Sequence, residues 1–85
     1  MITSSDIKKI FQEKIPSGRR IPVSEIHLLI ENNFQLTKQD WSPHPSELRR
    51  HRTYPSWKRK VQAVLHAMKL KGLVTHFEVT NEYIF

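Results

Sequence analysis

Eighty-five residues, 38% of them hydrophobic and 26% charged, suffice for one small packed domain, here residues 1–85, and not for an enzyme domain plus a separate binding domain. Cysteine is absent, which excludes a disulfide framework and cysteine-ligated zinc. No run approaches the ~18 apolar residues of a membrane span, and the first six residues lack the basic-then-apolar pattern of a secretion signal, so a cytoplasmic location is expected. The net charge of +6 sits in one half of the chain: residues 1–47 hold six Lys/Arg and six Asp/Glu, residues 48–85 hold eight against two, and residues 48–77 contain no acid. Nucleic acid is the first partner this asymmetry suggests, because Lys and Arg neutralise phosphates and release counterions. A basic solubility surface is the plainer alternative.

The first element reads as a helix. Ser4 or Ser5 can cap it, Asp6 suits the positive end of its dipole, and Ile7, Ile10, Phe11 and Ile15 form one apolar stripe. Pro16-Ser17-Gly18 stops it. Residues 19–23 are short and extended, with Pro22 tolerated on an edge strand. Ser24 reads as the cap of a second helix, with Ile26, Leu29, Ile30 and Asn33 on one face. Thr37, with Asp40 three residues later, reads as a capping box opening a short helical turn. Pro43 and Pro45 break that turn, and the basic residues 46–53 form either a loop or a loosely helical turn.

Residues 55–72 carry the clearest signal. Pro55 suits a helix start and Gly72 a helix end, and the last turn holds Lys69 and Lys71. Trp57, Val61, Val64, Leu65 and Met68 fall on one side, and Arg59, Gln62 and His66 on the other. Residues 73–79 then read as a half-buried strand, 80–82 as a turn and 83–85 as a return strand.

This order predicts an α+β fold of the winged-helix type: a helix-turn-helix with three helices and a small three-stranded antiparallel sheet, in which residues 19–23 pair with the terminal hairpin. The longest helix would enter the major groove and the hairpin would be the wing. Leu36-Thr37-Lys38-Gln39-Asp40, the proline-containing loop after it, and residues 54–74 resemble the winged-helix domain of Mrr-type restriction proteins. They are also similar to winged helices appended to other modified-base-dependent restriction endonucleases. The resemblance covers roughly residues 20–85, and Trp57 to Leu73 is its telling part. It implies a module that binds double-stranded DNA and works with a nuclease domain or subunit, the chain being a possible fragment of a longer nuclease. By position, Ser56, Lys58, Arg59, Gln62 and His66 match the exposed face of the family's recognition helix. The wing departs from the pattern: Thr80-Asn81-Glu82 has no glycine and carries an acid.

The residues divide the work further. Arg59, Gln62 and His66 are expected to reach base edges, Arg pairing with guanine and Gln with adenine. Ser56 and the backbone around it can bind a phosphate. Lys58, Lys60 and Lys69 suit backbone contacts, although Lys60 lies near the core flank and can simply snorkel. Arg19 and Arg20, and Arg49, Arg50 and Arg52, can grip phosphate beside the groove; the second group is otherwise a mobile basic loop. Trp41 and Trp57 read as core, with base stacking the alternative. The five histidines form no metal-ligand pair at short spacing and the carboxylates are scattered, so no metal, cofactor or active site is expected within these residues. A transcription regulator of the same fold, and a winged helix that docks an acidic protein, are the alternatives.

Overall fold

The computed structural model describes residues 1–49 and 54–85, the side chain of Ser46 excepted. In chain order the elements are α1 (Ser4–Lys14), β1 (Arg20–Pro22), α2 (Val23–Asn33), α3 (Lys38–Trp41), α4 (Pro45–Arg49), α5 (Ser56–Leu70), β2 (Thr75–Phe77) and β3 (Glu82–Ile84). The fold is α+β, with five helices rather than three among the described residues. The two additional helices are single turns with local causes. The expected box closes α3: the Thr37 hydroxyl accepts the Asp40 N–H at 3.2 Å, and the Asp40 carboxylate accepts the Thr37 N–H at 2.9 Å. In α4, Pro45 is the first helical residue, where its missing N–H costs nothing, so it opens a helix instead of only ending one. An isolated bridge between Pro43 and Pro55 draws together the two ends of the connection that contains α4.

Two helix starts differ from expectation. Thr3, not Ser4 or Ser5, caps α1, because only from position 3 does Asp6 fall where a reciprocal box needs its acid. Pro22, not Ser24, takes the N-cap position of α2. No side chain caps that end; the Val23 N–H is satisfied instead by the Asn81 carbonyl at 3.0 Å, a contact that ties α2 to the hairpin.

The C-terminus of α5 follows the glycine signal. Gly72 takes φ 73, the Leu73 N–H bonds to the Met68 carbonyl at 2.9 Å, and the Gly72 N–H bonds to the Lys69 carbonyl at 3.0 Å. That is a Schellman motif, and only a residue free to adopt positive φ closes it without strain.

The sheet order is β1-β3-β2, antiparallel throughout, with Ile21 opposite Tyr83 and Tyr83 opposite His76. Ile21 and Tyr83 are buried, so this row faces the core. The expected strand over 73–79 is shorter. It is confined to β2, and the chain turns through 78–81, where Asn81 takes φ 51 and supplies the left-handed step that a glycine would otherwise provide. One core joins the elements: Ile7, Ile10 and Phe11 of α1, Ile26 and Ile30 of α2, and Trp57, Val61, Val64 and Leu65 of α5 are all buried. Among the described residues, no helix is long and apolar enough to cross a membrane.

Candidate nucleic-acid interface

The apolar stripe of α5 is buried against α1 and α3, which leaves Arg59, Gln62, Ala63, His66, Ala67, Lys69 and Leu70 exposed on its other side. The helical period decides this arrangement: a stripe at i, i+4, i+7 and i+8 can be buried only by turning the residues between it outward. Arg59, Gln62 and His66 therefore share one solvent face along the helix. The Arg59 guanidinium, itself partly in water, stands 3.9 Å from the largely buried Glu47 carboxylate of α4, at the limit of ionic contact. Lys69, near the end of the helix, stands 3.8 Å from Glu78 in the hairpin turn. The Lys69–Glu78 pair is exposed at both ends and is worth little, whereas the Arg59–Glu47 pair has its carboxylate mostly out of water. Leu70, 74% exposed on the same face, is apolar.

Three expected contacts have other occupations. The Ser56 hydroxyl donates to the carbonyls of Asp40, at 2.9 Å, and Gln39, at 3.2 Å, and the Ser56 N–H donates to the Ser42 carbonyl at 3.0 Å. Ser56 thus fastens α3 to α5 and has lost the hydroxyl and N–H expected to meet a phosphate. Arg20 lies over Phe77 at 4.0 Å from the ring centroid, donates to Glu82 at 2.8 Å, and reaches the Thr80 hydroxyl at 3.1 Å. A hydrogen bond with Thr80, and then Arg20, hold the Glu82 carboxyl below its usual range. The acid that disturbed the wing pattern is thereby neutralised within the sheet, and Arg20 is a brace of the hairpin. Arg19 is paired with Glu25 of α2 at 2.9 Å. Neither arginine joins the row on α5. Arg49 is exposed in α4; Arg50 and Arg52 lie outside the described residues.

Lys58 stands over the edge of this region, 5.6 Å from the Trp57 ring centroid. Trp57 is fully buried, as expected, and its ring meets Trp41 and His27 edge-on, each at 5.4 Å. Trp41 departs from the core reading. It is 45% exposed, because α3 is a single turn and covers only one side of the indole. The buried Trp57 Nε1–H has no hydrogen-bond partner among the described residues. Burial, and then the nearby Lys58 charge, lower the His27 pKa to about 4.

Sequence reasoning missed the anchor beneath this site. Asp40 is fully buried, and besides closing its own box it accepts the Ile2 N–H at 3.1 Å. Lys60 donates to the Ile2 carbonyl at 2.8 Å, so the snorkelling lysine instead grips the N-terminal segment. Burial pushes the Asp40 carboxyl up, but the N–H groups of Thr37 and Ile2, the Thr37 hydroxyl and the N-terminal ammonium outweigh it and hold the carboxyl below its usual range. The Thr37-x-x-Asp40 spacing was the available signal, and it pointed to the cap alone. Among the described residues, no group of three or more His, Cys, Asp or Glu could hold a metal ion.

No protein-family model, curated protein or solved structure matches the chain.

Proposed function

We propose that this chain is a winged-helix module that binds double-stranded DNA, with α5 in the major groove and the β2–β3 hairpin as its wing, and that it serves as the recognition part of a restriction or defence endonuclease. The observation that carries the reading is the outward row of Arg59, Gln62 and His66 on a helix whose opposite side is core, within a 30-residue stretch, 48–77, that contains no acid. The element order and the sheet order β1-β3-β2 support the same arrangement. The resemblance of residues 54–74 to Mrr-type restriction proteins supports the nuclease setting. Lys58 and Lys69 flank the row and supply phosphate contacts, which position the helix; Arg59 and Gln62 supply the preference among sequences.

The test is a fluorescence titration of labelled random and methylated duplexes at two salt concentrations. Binding that weakens steeply as salt rises supports phosphate contact. Arg59→Ala and Gln62→Ala should each cost about 1–3 kcal/mol on a preferred duplex and much less on a random one. If neither substitution changes affinity or preference, α5 is not the reader. A docking face for an acidic protein is the second reading, favoured by the exposed Leu70 at the C-terminal end of the row. It predicts duplex binding that is weak and nearly indifferent to salt.

A further inference from the structure

The two shoulders of α5 differ. At 100° per residue, Lys58, Gln62 and Lys69 lie on one shoulder, where Lys69 meets Glu78 of the hairpin turn, while Ala67 and Lys71 lie roughly 180° away on the other. Along this second shoulder runs the N-terminal segment that contains α1, from Ile2 beside Lys60 to Phe11 and Ile15 near Met68. Between α1 and the C-terminal end of α5 the packing is incomplete. A hollow of about 380 Å³ lies over Phe11, Ile15, Met68 and Phe85. A second, of about 150 Å³, adjoins it and shares Gln12, Met68 and Leu73. Together they form one groove.

The groove combines an apolar floor with basic side chains at its edge. Its floor is firm, since Phe11 is buried and meets Phe85 edge-on at 5.1 Å. Its wall is Leu73, 59% exposed and held by the Schellman bond to the Met68 carbonyl. The charged side chains lining it among the described residues are Lys8 and Lys71. The acids of α1 are elsewhere: Asp6 and Glu13 line a separate hollow with Asn33 and Phe34. An apolar floor with a cationic rim does not suit a duplex, which offers phosphates and no bulky apolar group. It suits a chain that carries both an apolar side chain and carboxylates.

We propose that this groove is the docking site for an acidic peptide segment of a partner protein, which seats a bulky apolar side chain over Phe11, Ile15 and Met68 and sets its carboxylates against Lys8 and Lys71. The site lies away from the Arg59–Gln62–His66 row, so a docked partner leaves that row open. The inference stands whether or not α5 reads DNA.

The experiment uses the full chain labelled with ¹⁵N and three probes: a peptide with Leu and Phe set among Asp and Glu, the same peptide with Lys in place of the acids, and phosphatidylserine vesicles. The acidic peptide should shift the amide signals of Gln12, Met68 and Leu73, and the Lys peptide should not. Lys8→Glu with Lys71→Glu, both at exposed positions, should weaken the acidic peptide about tenfold and admit the Lys peptide instead. Leu73→Ser should weaken either peptide in either background. No shift with either peptide, equal binding of both by the unaltered chain, shifts confined to the Arg59–Lys69 face, or vesicle binding without peptide binding would each overturn the proposal.

Discussion

The junction under the N-terminus of α5 and the outer face of the hairpin use similar ionic chemistry to different effect. At the junction, the carboxylate of Asp40 has no solvent access and accepts three N–H or O–H groups from Thr37 and Ile2, while Lys60 holds the carbonyl of the same Ile2. On the hairpin, Arg20 and Glu82 meet at 2.8 Å with both side chains partly in water. Desolvation makes the first set costly to disturb, because each partner left behind would be an unsatisfied buried group. Water and salt make the second cheap to open. The junction is therefore a structural lock that positions α5, and the hairpin pair is a brace that can yield its arginine to a phosphate.

Substitution at the two places should separate them, beginning at the lock. Asp40→Ala should cost about 2–4 kcal/mol in urea unfolding, because it strands the buried Ile2 N–H and the Thr37 N–H and removes the acid half of the α3 capping box. A loss under 1 kcal/mol would mean that the lock is no stronger than the brace.

Acid should act on the same region through His27, which packs against Trp57. Its folded pKa of about 4 lies below the ordinary 6.5, so the unfolded chain takes up the proton first. The stability it permits is complete above pH 6.5 and is lost as pH falls towards 4. Allowing for partial solvent screening, the loss should be about 1–2 kcal/mol. His27→Gln should flatten that part of the pH profile, which thermal melts at pH 7, 5.5 and 4.5 would reveal. The Asp40 contribution is separable, since a carboxylate held below 3.8 surrenders its share only at lower pH.

Lys60→Met should cost about 1 kcal/mol, the worth of one hydrogen bond to a half-covered carbonyl, and should raise hydrogen exchange in the N-terminal residues first. Glu82→Gln should have the smallest effect on stability, a shift in the urea midpoint smaller than that of Lys60→Met. It should tighten duplex binding a few-fold by releasing Arg20, with a steeper salt dependence. A large stability loss from Glu82→Gln would erase the distinction between lock and brace.

Most of the helical framework was legible because its signals are local. The spacing of Trp57, Val61, Val64 and Leu65 sets the buried side of α5, and Gly72 sets where it ends. Thr37 and Asp40 announce α3. The same local logic misplaced two caps. Thr3 competes with Ser4 and Ser5 on equal chemistry, and the distance to Asp6 decides between them. Pro22 displaces Ser24 because a carbonyl in the hairpin satisfies Val23, a partner 58 positions away in the chain.

The candidate site was legible only along α5. Arg59, Gln62 and His66 face outward for a reason contained in the helical period. Nothing local could show that Ser56 is tied to α3, that Arg20 braces Glu82, or that Glu47 stands near Arg59, since each pairing depends on elements brought together by the core.

The sequence by itself determined which residues of α5 lie inside and which outside, where the main breaks fall, and that the positive charge belongs to the second half of the chain, because periodicity, turn residues and charge act over a few neighbouring positions. Only the tertiary structure decided which of the outward charges remain at the solvent face and which are occupied by carboxylates and carbonyls from distant segments, because that depends on contacts made when the core closes.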